Sequence, residues 1–220
     1  MKYLRYSSLP LLLLLIGLLS LPFHGCKPDD DPDTCDTCLV AYKPNIYIYP
    51  SQETKIDVQV SFPHGGKIIA SEPEYMQGWS VMVEPSGRID EQYDFLFYES
   101  RQPDRWQRTE GWVIKQSEVR SFFTENLRRY GFNEKESADF LDWWVQRLDV
   151  SPYYKVYPQT NTTIDELIQL KFSPHPERVL RIFYLIEGVS KLPSGNLSEP
   201  VIQSFDRNGF VVAEWGVLMR

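Results

Sequence analysis

Carboxylate side chains are the groups in this sequence that most readily suggest catalytic chemistry. Glu99, Glu110 and Glu214 each lie within two residues of an aromatic residue and could supply the two carboxylates of a glycoside hydrolase. The alternative is chance, because 30 acidic residues are spread through the chain and no sequence spacing fixes two carboxylates in space. The Gly-x-Ser-x-Gly, His-Glu-x-x-His, P-loop and dinucleotide-binding motifs do not occur. Their absence excludes the common motif-bearing hydrolases and nucleotide enzymes.

Three cysteines and three histidines give little support to metal or redox chemistry. Cys35 and Cys38 form an even pair after the first cysteine, and a disulfide between them is expected in an oxidising compartment. A redox Cys-x-x-Cys follows a strand and opens a helix, whereas the residues after Cys38 predict an extended segment, so redox chemistry is the weaker alternative. His64 and His175 lie in turns, where exposure to solvent is expected. We therefore expect no metal site and no cofactor.

Aromatic residues make up 14% of the chain, which is more than a core strictly needs. On alternate strand positions they could form a binding surface, although most large aromatic side chains are simply core. An arginine within an apolar strand, Arg181, predicts an ion pair with a carboxylate such as Glu214. Trp143 is expected to point partly outward, because Trp144 already takes the inner face of its helix. The candidate ligand-binding residues are Tyr47, Tyr49, Trp79, Glu99, Trp112, Arg181, Glu214 and Trp215.

The hydrophobic pattern predicts an α+β fold, with an antiparallel sheet or small sandwich and an αα-hairpin packed on it. One helix is expected from Ser117 to about Arg129, with Gly131 as its stop, and residues Asn133 to Glu136 form a capping-box start for a second helix. Alternating segments predict strands at residues 45–49, 54–62, 67–70, 78–83, 95–98, 111–114, 167–172, 179–186 and 209–217.

Residues 1–25 have the layout of an export signal. Lys2 and Arg5 precede the apolar run from Leu9 to Leu21, and Gly25 stands directly before Cys26. A membrane-spanning helix needs about 20 predominantly apolar residues. Here prolines and polar residues interrupt a shorter run, so we expect a signal peptide over residues 1–25 and not a retained transmembrane anchor.

The sequence Phe23-His24-Gly25-Cys26 resembles the lipobox of bacterial lipoproteins, in which the cysteine is acylated, for example with palmitate, and becomes the mature N-terminus. The resemblance implies that acylated Cys26 anchors the chain to a lipid bilayer. Residues 26–42 begin with an acidic, proline-broken run and are expected to form a flexible tether, and residues 43–220 are expected to form a single domain.

The lysine and acidic residues after Cys26 are similar to the signal for surface exposure in some Gram-negative groups, and the alternative is an acidic spacer with no sorting role. The similarity implies an outer-membrane protein exposed at the cell surface. A periplasmic face and a secreted protein are the alternatives. Loss of residues 1–25 removes Lys2 and Arg5, which lowers the basic residues from 23 to 21 against 30 acidic residues and gives a formal net charge of −9. An acidic surface argues against nucleic acid as a partner.

The octad from Lys43 to Pro50 resembles the opening signature Lys-Pro-x-Ile-Tyr-x-Tyr-Pro of a bacterial extracytoplasmic domain family. The likeness covers about residues 43–216 and continues through Gly78-Trp79, Tyr98-Glu99, Arg181 and the closing Glu214-Trp215-Gly216. The family has no assigned activity, so the resemblance implies a single envelope domain and no mechanism.

These observations together predict a membrane-anchored envelope lipoprotein that serves as a non-enzymatic binding or structural module, with a glycan or a protein as its partner. The alternative is a glycan-directed hydrolase, anchored or secreted, that uses a carboxylate pair. A binding module predicts an exposed aromatic surface, whereas a hydrolase predicts a cleft where two carboxylates converge.

Overall fold

The computed structural model of the chain describes residues 35, 37–148, 150–195 and 197–219. The chain divides into two units, Met1–Thr34 and Cys35–Arg220. All of the described residues belong to the second unit. The predicted signal peptide, Cys26 and the first part of the predicted tether lie outside the described residues.

The described residues form ten strands and three α-helices, with short 3₁₀ turns before α1 and after α2. The strands are β1 (Cys38–Tyr49), β2 (Thr54–Ser61), β3 (Lys67–Glu72), β4 (Trp79–Val83), β5 (Leu96–Pro103), β6 (Trp112–Lys115), β7 (Tyr153–Thr160), β8 (Gln169–Ser173), β9 (Arg178–Val189) and β10 (Val211–Met219). The helices are α1 (Val119–Tyr130), α2 (Glu134–Trp144) and α3 (Asn161–Leu167). None of the helices in the described ranges is long and apolar enough to cross a bilayer.

The strands form two sheets. The larger sheet has seven strands in the order β3-β5-β1-β10-β9-β7-β6, and the smaller has three in the order β4-β2-β8. All neighbours are antiparallel except β9 and β10, which run parallel because the segment between them crosses back to the starting end of β9. The predicted α+β fold with a helical hairpin is confirmed, and the larger sheet is mixed instead of purely antiparallel.

Two hydrophobic cores lie on opposite faces of the larger sheet. Along β10, Val212 and Leu218 belong to the core shared with the smaller sheet, whereas Ala213 and Trp215 belong to the core beneath α1 and α2. A strand buried on both faces has an almost continuous apolar sequence, and β10 is fully buried over Val211–Leu218. The second unit therefore has three layers, with the larger sheet in the middle.

The helical hairpin forms as the sequence predicts. Gly131 ends α1 with a left-handed φ of 100°, which glycine adopts without a steric penalty. The Asn133 side chain accepts a hydrogen bond from the Glu136 backbone at 2.9 Å, and the Glu136 carboxylate accepts one from the Asn133 backbone at 2.8 Å, which makes a capping box. Ser117 does not cap α1, because it lies inside the preceding 3₁₀ turn.

The boundary of the domain needs a correction. β1 begins at Cys38, so residues 38–42, which the sequence analysis assigns to the tether, pair with β5 and β10. The acidic run ends before these residues, and the change to an apolar composition at Leu39 marks the boundary better than the later Lys-Pro motif does. Cys35 and Cys38 are joined by a disulfide with an S–S distance of 2.01 Å at the start of this strand.

Two elements, β7 and α3, are not predicted from the sequence. Pro158 argues against an interior strand because it cannot donate to a ladder. β6 pairs only with Tyr153–Val156, however, so β7 has a neighbour on just one side at Pro158, and proline is accepted there. β1 and β2 are consecutive along the chain but do not pair with each other, because they belong to different sheets.

Candidate functional site

An open cleft of about 510 Å³ lies at the end of the larger sheet. The core beneath α1 and α2 contains no described residue of β3 or β5, so the hairpin leaves this end of the sheet uncovered. β3, β5, an irregular part of β1, the last residues of α2 and the loop before β5 supply the walls. The charged and aromatic residues that line the cleft include Lys43, Glu72, Asp94, Phe97, Glu99 and Trp143.

Strand register brings the polar and aromatic groups of the cleft floor together. Glu72 on β3 is paired with Phe97 on β5, and Ala70 is paired with Glu99. Residues directly opposite each other in an antiparallel pair share a face, so Glu72, Phe97 and Glu99 all face the cleft. Glu72 and Glu99 are diagonal neighbours, whose Cα atoms lie about 7–8 Å apart in such sheets.

Lys43 enters the cleft from a β-bulge. The register of β1 shifts between Tyr42 and Asn45 against β10, and a matching shift occurs against β5. Lys43 takes a left-handed φ of 49° inside this bulge. A non-glycine residue in that conformation costs about 1–3 kcal/mol, so the surrounding contacts must compensate for it.

Aromatic rings surround the Lys43 ammonium. Its Nζ atom lies 5.0 Å from the ring centroids of both Phe95 and Phe97 and 4.6 Å from that of Trp143. Burial lowers the pKa of Lys43, and the nearby carboxylates of Asp139, Glu99 and Glu72 act in the opposite direction. The negative faces of the rings also favour the charged form. The three rings thus hold the Lys43 side chain in the wall of the cleft.

The Trp143 ring is held from a second direction. The Arg147 guanidinium lies 3.8 Å from the ring centroid, and its Nη1 atom donates to the Trp143 carbonyl at 2.6 Å. Trp143 is nevertheless 39% exposed, in agreement with its predicted outward direction. The cleft therefore has a fixed aromatic wall that still faces solvent.

Most charged groups around the cleft are already paired. Lys135 Nζ lies 3.1 Å from both Asp139 Oδ2 and Asp94 Oδ2, and Arg88 Nη1 lies 2.8 Å from Asp94 Oδ1. The hydrogen bonds from Arg88 and Lys135 lower the pKa of Asp94. Within the described ranges, in contrast, Glu72 and Glu99 form no hydrogen bond or ion pair, and they interact with Lys43 only through longer-range electrostatics. These two carboxylates are the groups that a ligand can still satisfy.

The predicted ligand-binding residues do not form one site. Glu99 lines the cleft, and Tyr47 lies behind it, where its hydroxyl donates to Asp139 at 3.0 Å and burial raises its pKa. Trp79 lines a separate groove beside Tyr75. Trp112 lies on the edge strand β6 in a third groove, and Tyr49 contacts the second helix through Asn133.

Arg181 and Glu214 form the predicted ion pair on the opposite face of the larger sheet. Arg181 Nε donates to Glu214 Oε2 at 2.6 Å, and Tyr98 donates to Glu214 Oε1 at 2.8 Å. Arg181 also contacts Asp165. Burial disfavours the charged guanidinium, but the neighbouring acidic groups outweigh it and raise the pKa of Arg181. Arg181 and Glu214 are almost completely buried, so this is a structural group.

The three glutamates considered for glycoside hydrolysis lie apart. Glu99 faces the cleft, whereas Glu214 contacts Tyr98, whose side chain alternates to the other face of β5. Glu110 lies in the loop before β6 and bridges to Ser198. Trp215 is also structural, because its buried indole donates to the Glu136 carbonyl at 2.9 Å.

Sequence reasoning misses most of the cleft. Glu72, Asp94 and Phe97 carry no motif, and only strand register reveals that they lie near Glu99. Lys43 is part of the Lys-Pro opening motif, which is the one signal that could have singled it out. Among the described residues, no group of three potential metal ligands converges.

Comparison with known proteins identifies no relative. No family model, no curated protein and no solved structure matches this chain. The likeness to an extracytoplasmic domain family rests on the sequence motifs alone and stays a prediction.

Proposed function

We propose that the chain is a membrane-anchored lipoprotein of the cell envelope, displayed on the outer membrane, whose folded unit works as a binding module. The observation that carries the proposal is the open cleft with its fixed aromatic wall and two carboxylates, Glu72 and Glu99, that form no hydrogen bond or ion pair with the described part of the chain. Its volume of about 510 Å³ falls in the range of ligand-binding pockets. The lipobox-like sequence at Cys26 supports the anchor, and the motifs shared with extracytoplasmic domains support the compartment.

Binding is favoured over a purely structural role because the backbone conformation that forms the cleft lowers the stability of the fold. The left-handed Lys43 and its bulge interrupt the pairing of β1 with both neighbours. A sheet selected only for stability gains nothing from such an interruption. The bulge supplies the lysine that holds Trp143 over the open end of the sheet.

A blocking substitution tests this function. Gln92 lines the cleft and is exposed, so Gln92→Trp adds bulk at the rim without removing a charge. In a Cys26→Ser background, which removes the predicted lipid, we expect soluble protein to co-sediment with isolated cell envelopes and Gln92→Trp to weaken this binding about tenfold.

The matched control is Gln52→Trp, at an exposed position between β1 and β2 outside the cleft. It is expected to bind envelopes as the unmodified protein does. Equal binding by both tryptophan variants would show that the cleft is not the binding site.

A carboxylate-pair hydrolase is the second candidate, and one observation favours it. Glu72 and Glu99 are diagonal neighbours on adjacent strands. Glu72, instead of Glu110 or Glu214, would therefore be the second carboxylate of the catalytic pair. Release of soluble sugars from envelope glycans by the wild-type protein, abolished in Glu99→Gln, would establish this function. Binding without product release would exclude it for those glycans.

A further inference from the structure

The charges around the cleft leave a negative site. The Lys43 ammonium is held by three rings, and Asp94 is paired with Arg88 and Lys135. Among the charged lining residues that the structure describes, Glu72 and Glu99 have neither a hydrogen bond nor an ion pair, and they interact with Lys43 only through longer-range electrostatics. A ligand that carries a positive charge gains two carboxylates on entering, whereas an anion meets their repulsion.

The aromatic wall provides a second and independent indication. The faces of Phe95, Phe97 and Trp143 already surround one ammonium group, that of Lys43, at 4.6–5.0 Å. Ring faces attract alkylammonium and guanidinium groups through their quadrupoles, most strongly where water is partly excluded. Lys43 therefore shows within this protein how the wall accommodates a cation.

Register fixes where a bound cation would lie. Phe97 stands directly opposite Glu72 and two residues from Glu99, so its ring shares one face of the sheet with both carboxylates. Glutamate side chains on diagonal positions can converge on one cationic head, since the Cα atoms in such a pair are about 7–8 Å apart. Guanidinium and ammonium groups have enough donors to satisfy both carboxylates.

We propose that the cleft binds an organic cation, an alkylammonium or guanidinium group held by Glu72 and Glu99 over Phe97. This inference rests on the proposed function and names the ligand chemistry of the same site. The cationic group can belong to a lysine or arginine side chain of a peptide or to a free polyamine, because both present the same head to the carboxylates.

The experiment uses fluorescence anisotropy of a short dye-labelled peptide that contains lysines. The same peptide with its lysines acetylated is the neutral probe, and spermidine is the competitor for the polyamine case. We expect the wild type to bind the lysine peptide at least about tenfold more tightly than the acetylated peptide. Glu72→Gln and Glu99→Gln are each expected to weaken binding about three- to tenfold.

Glu166→Gln is the matched control, because Glu166 is exposed on α3 and lies outside the cleft. It is expected to leave the affinity unchanged, and thermal melts of all variants would check that they fold. If spermidine displaces the peptide at similar concentrations, the free polyamine is the better ligand; if only lysine peptides compete, the source is a peptide.

The outcome separates this inference from the proposed function. Equal affinity for the lysine and acetylated peptides would overturn cation recognition. Full affinity for the lysine peptide in the double variant that combines Glu72→Gln and Glu99→Gln would overturn it as well. If Gln92→Trp still weakens envelope binding in that case, the cleft stays a binding site for a neutral ligand. If Gln92→Trp has no effect either, both the inference and the proposed function fail.

Discussion

At the scale of single residues, Lys43 connects backbone strain to the shape of the cleft. Its left-handed φ of 49° is unfavourable, and three aromatic rings within 5.0 Å of its ammonium compensate for that cost. Removal of the charge should therefore destabilise the fold as well as loosen the wall around Trp143. The lysine has a structural and a ligand-organising role in one side chain.

The variant Lys43→Met keeps the length of the side chain and removes the ammonium. We expect a loss of about 1–2 kcal/mol in the free energy of unfolding, measured by urea denaturation, because cation–π contacts with several partly buried rings are lost. Lys171→Met, at an exposed position on β8, is the control and should change stability little. An unchanged or raised stability in Lys43→Met would contradict the role assigned to the ammonium.

The buried pair of Arg181 and Glu214 makes a second prediction at this scale. Glu214→Gln leaves the guanidinium, which is 1% exposed, without its buried counter-charge. We expect a destabilisation of about 3 kcal/mol or more, because an uncompensated buried charge is costly. Chemical denaturation of this variant beside the exposed Glu166→Gln measures the effect. A loss no larger than that of the control would show that Asp165 alone satisfies Arg181.

At the scale of elements, the capping box controls where α2 begins. Asn133→Ala removes the side chain that accepts from the Glu136 backbone and donates to Tyr49, so we expect a loss of about 1 kcal/mol in thermal or urea unfolding. Asn133→Ser restores an acceptor at the same place and should recover most of that loss. Failure of serine to recover stability would assign the effect to the Tyr49 contact.

The helical hairpin could be predicted from sequence because its signals are local. Gly131, Asn133 and Glu136 lie within six residues of one another, and the apolar spacing of α2 indicates which face is buried. β7 could not be predicted in the same way, because acceptance of Pro158 depends on how far a neighbouring strand, β6, extends. Strand lengths of that kind are decided by tertiary pairing and not by local propensity.

The cleft is harder to predict than the fold because it depends on register. Glu72 and Glu99 are separated by 26 intervening residues, and only the pairing of β3 with β5 makes them neighbours. The Arg181–Glu214 pair, in contrast, could be anticipated, because a charged residue in an apolar strand needs a partner. The sequence thus indicates which charges must be neutralised inside, but not which ones converge at the surface.

At the scale of the whole molecule, buried tyrosines in both cores make the free energy of unfolding depend on pH in the alkaline range. Burial raises the pKa of Tyr130 to about 12, and burial also raises the pKa values of a set of tyrosines in both cores, namely Tyr47, Tyr49, Tyr98 and Tyr184. An unfolded tyrosine ionises near pH 10. Between these values the unfolded chain binds fewer protons than the native chain, so stability falls as the pH rises.

We therefore expect the free energy of unfolding to be independent of these groups below about pH 9 and to decrease steadily above about pH 10. Urea titrations across that range measure the slope. Tyr130→Phe should reduce the slope, since it removes one group whose pKa is lower in the unfolded state than in the native state. A slope that is unchanged in Tyr130→Phe would contradict the assignment of the alkaline response to this tyrosine.

Tethering is the central claim for the whole molecule, because binding at the cleft serves the envelope only if the domain is held there. The direct test is intact-mass analysis of membrane and soluble fractions from cells that produce the wild type or Cys26→Ser. We predict a wild-type chain that begins at an acylated Cys26 and partitions with membranes, and a Cys26→Ser chain that lacks the lipid and is soluble. Soluble wild-type and mutant chains, both cleaved at another site, would contradict the lipoprotein assignment and favour a secreted protein.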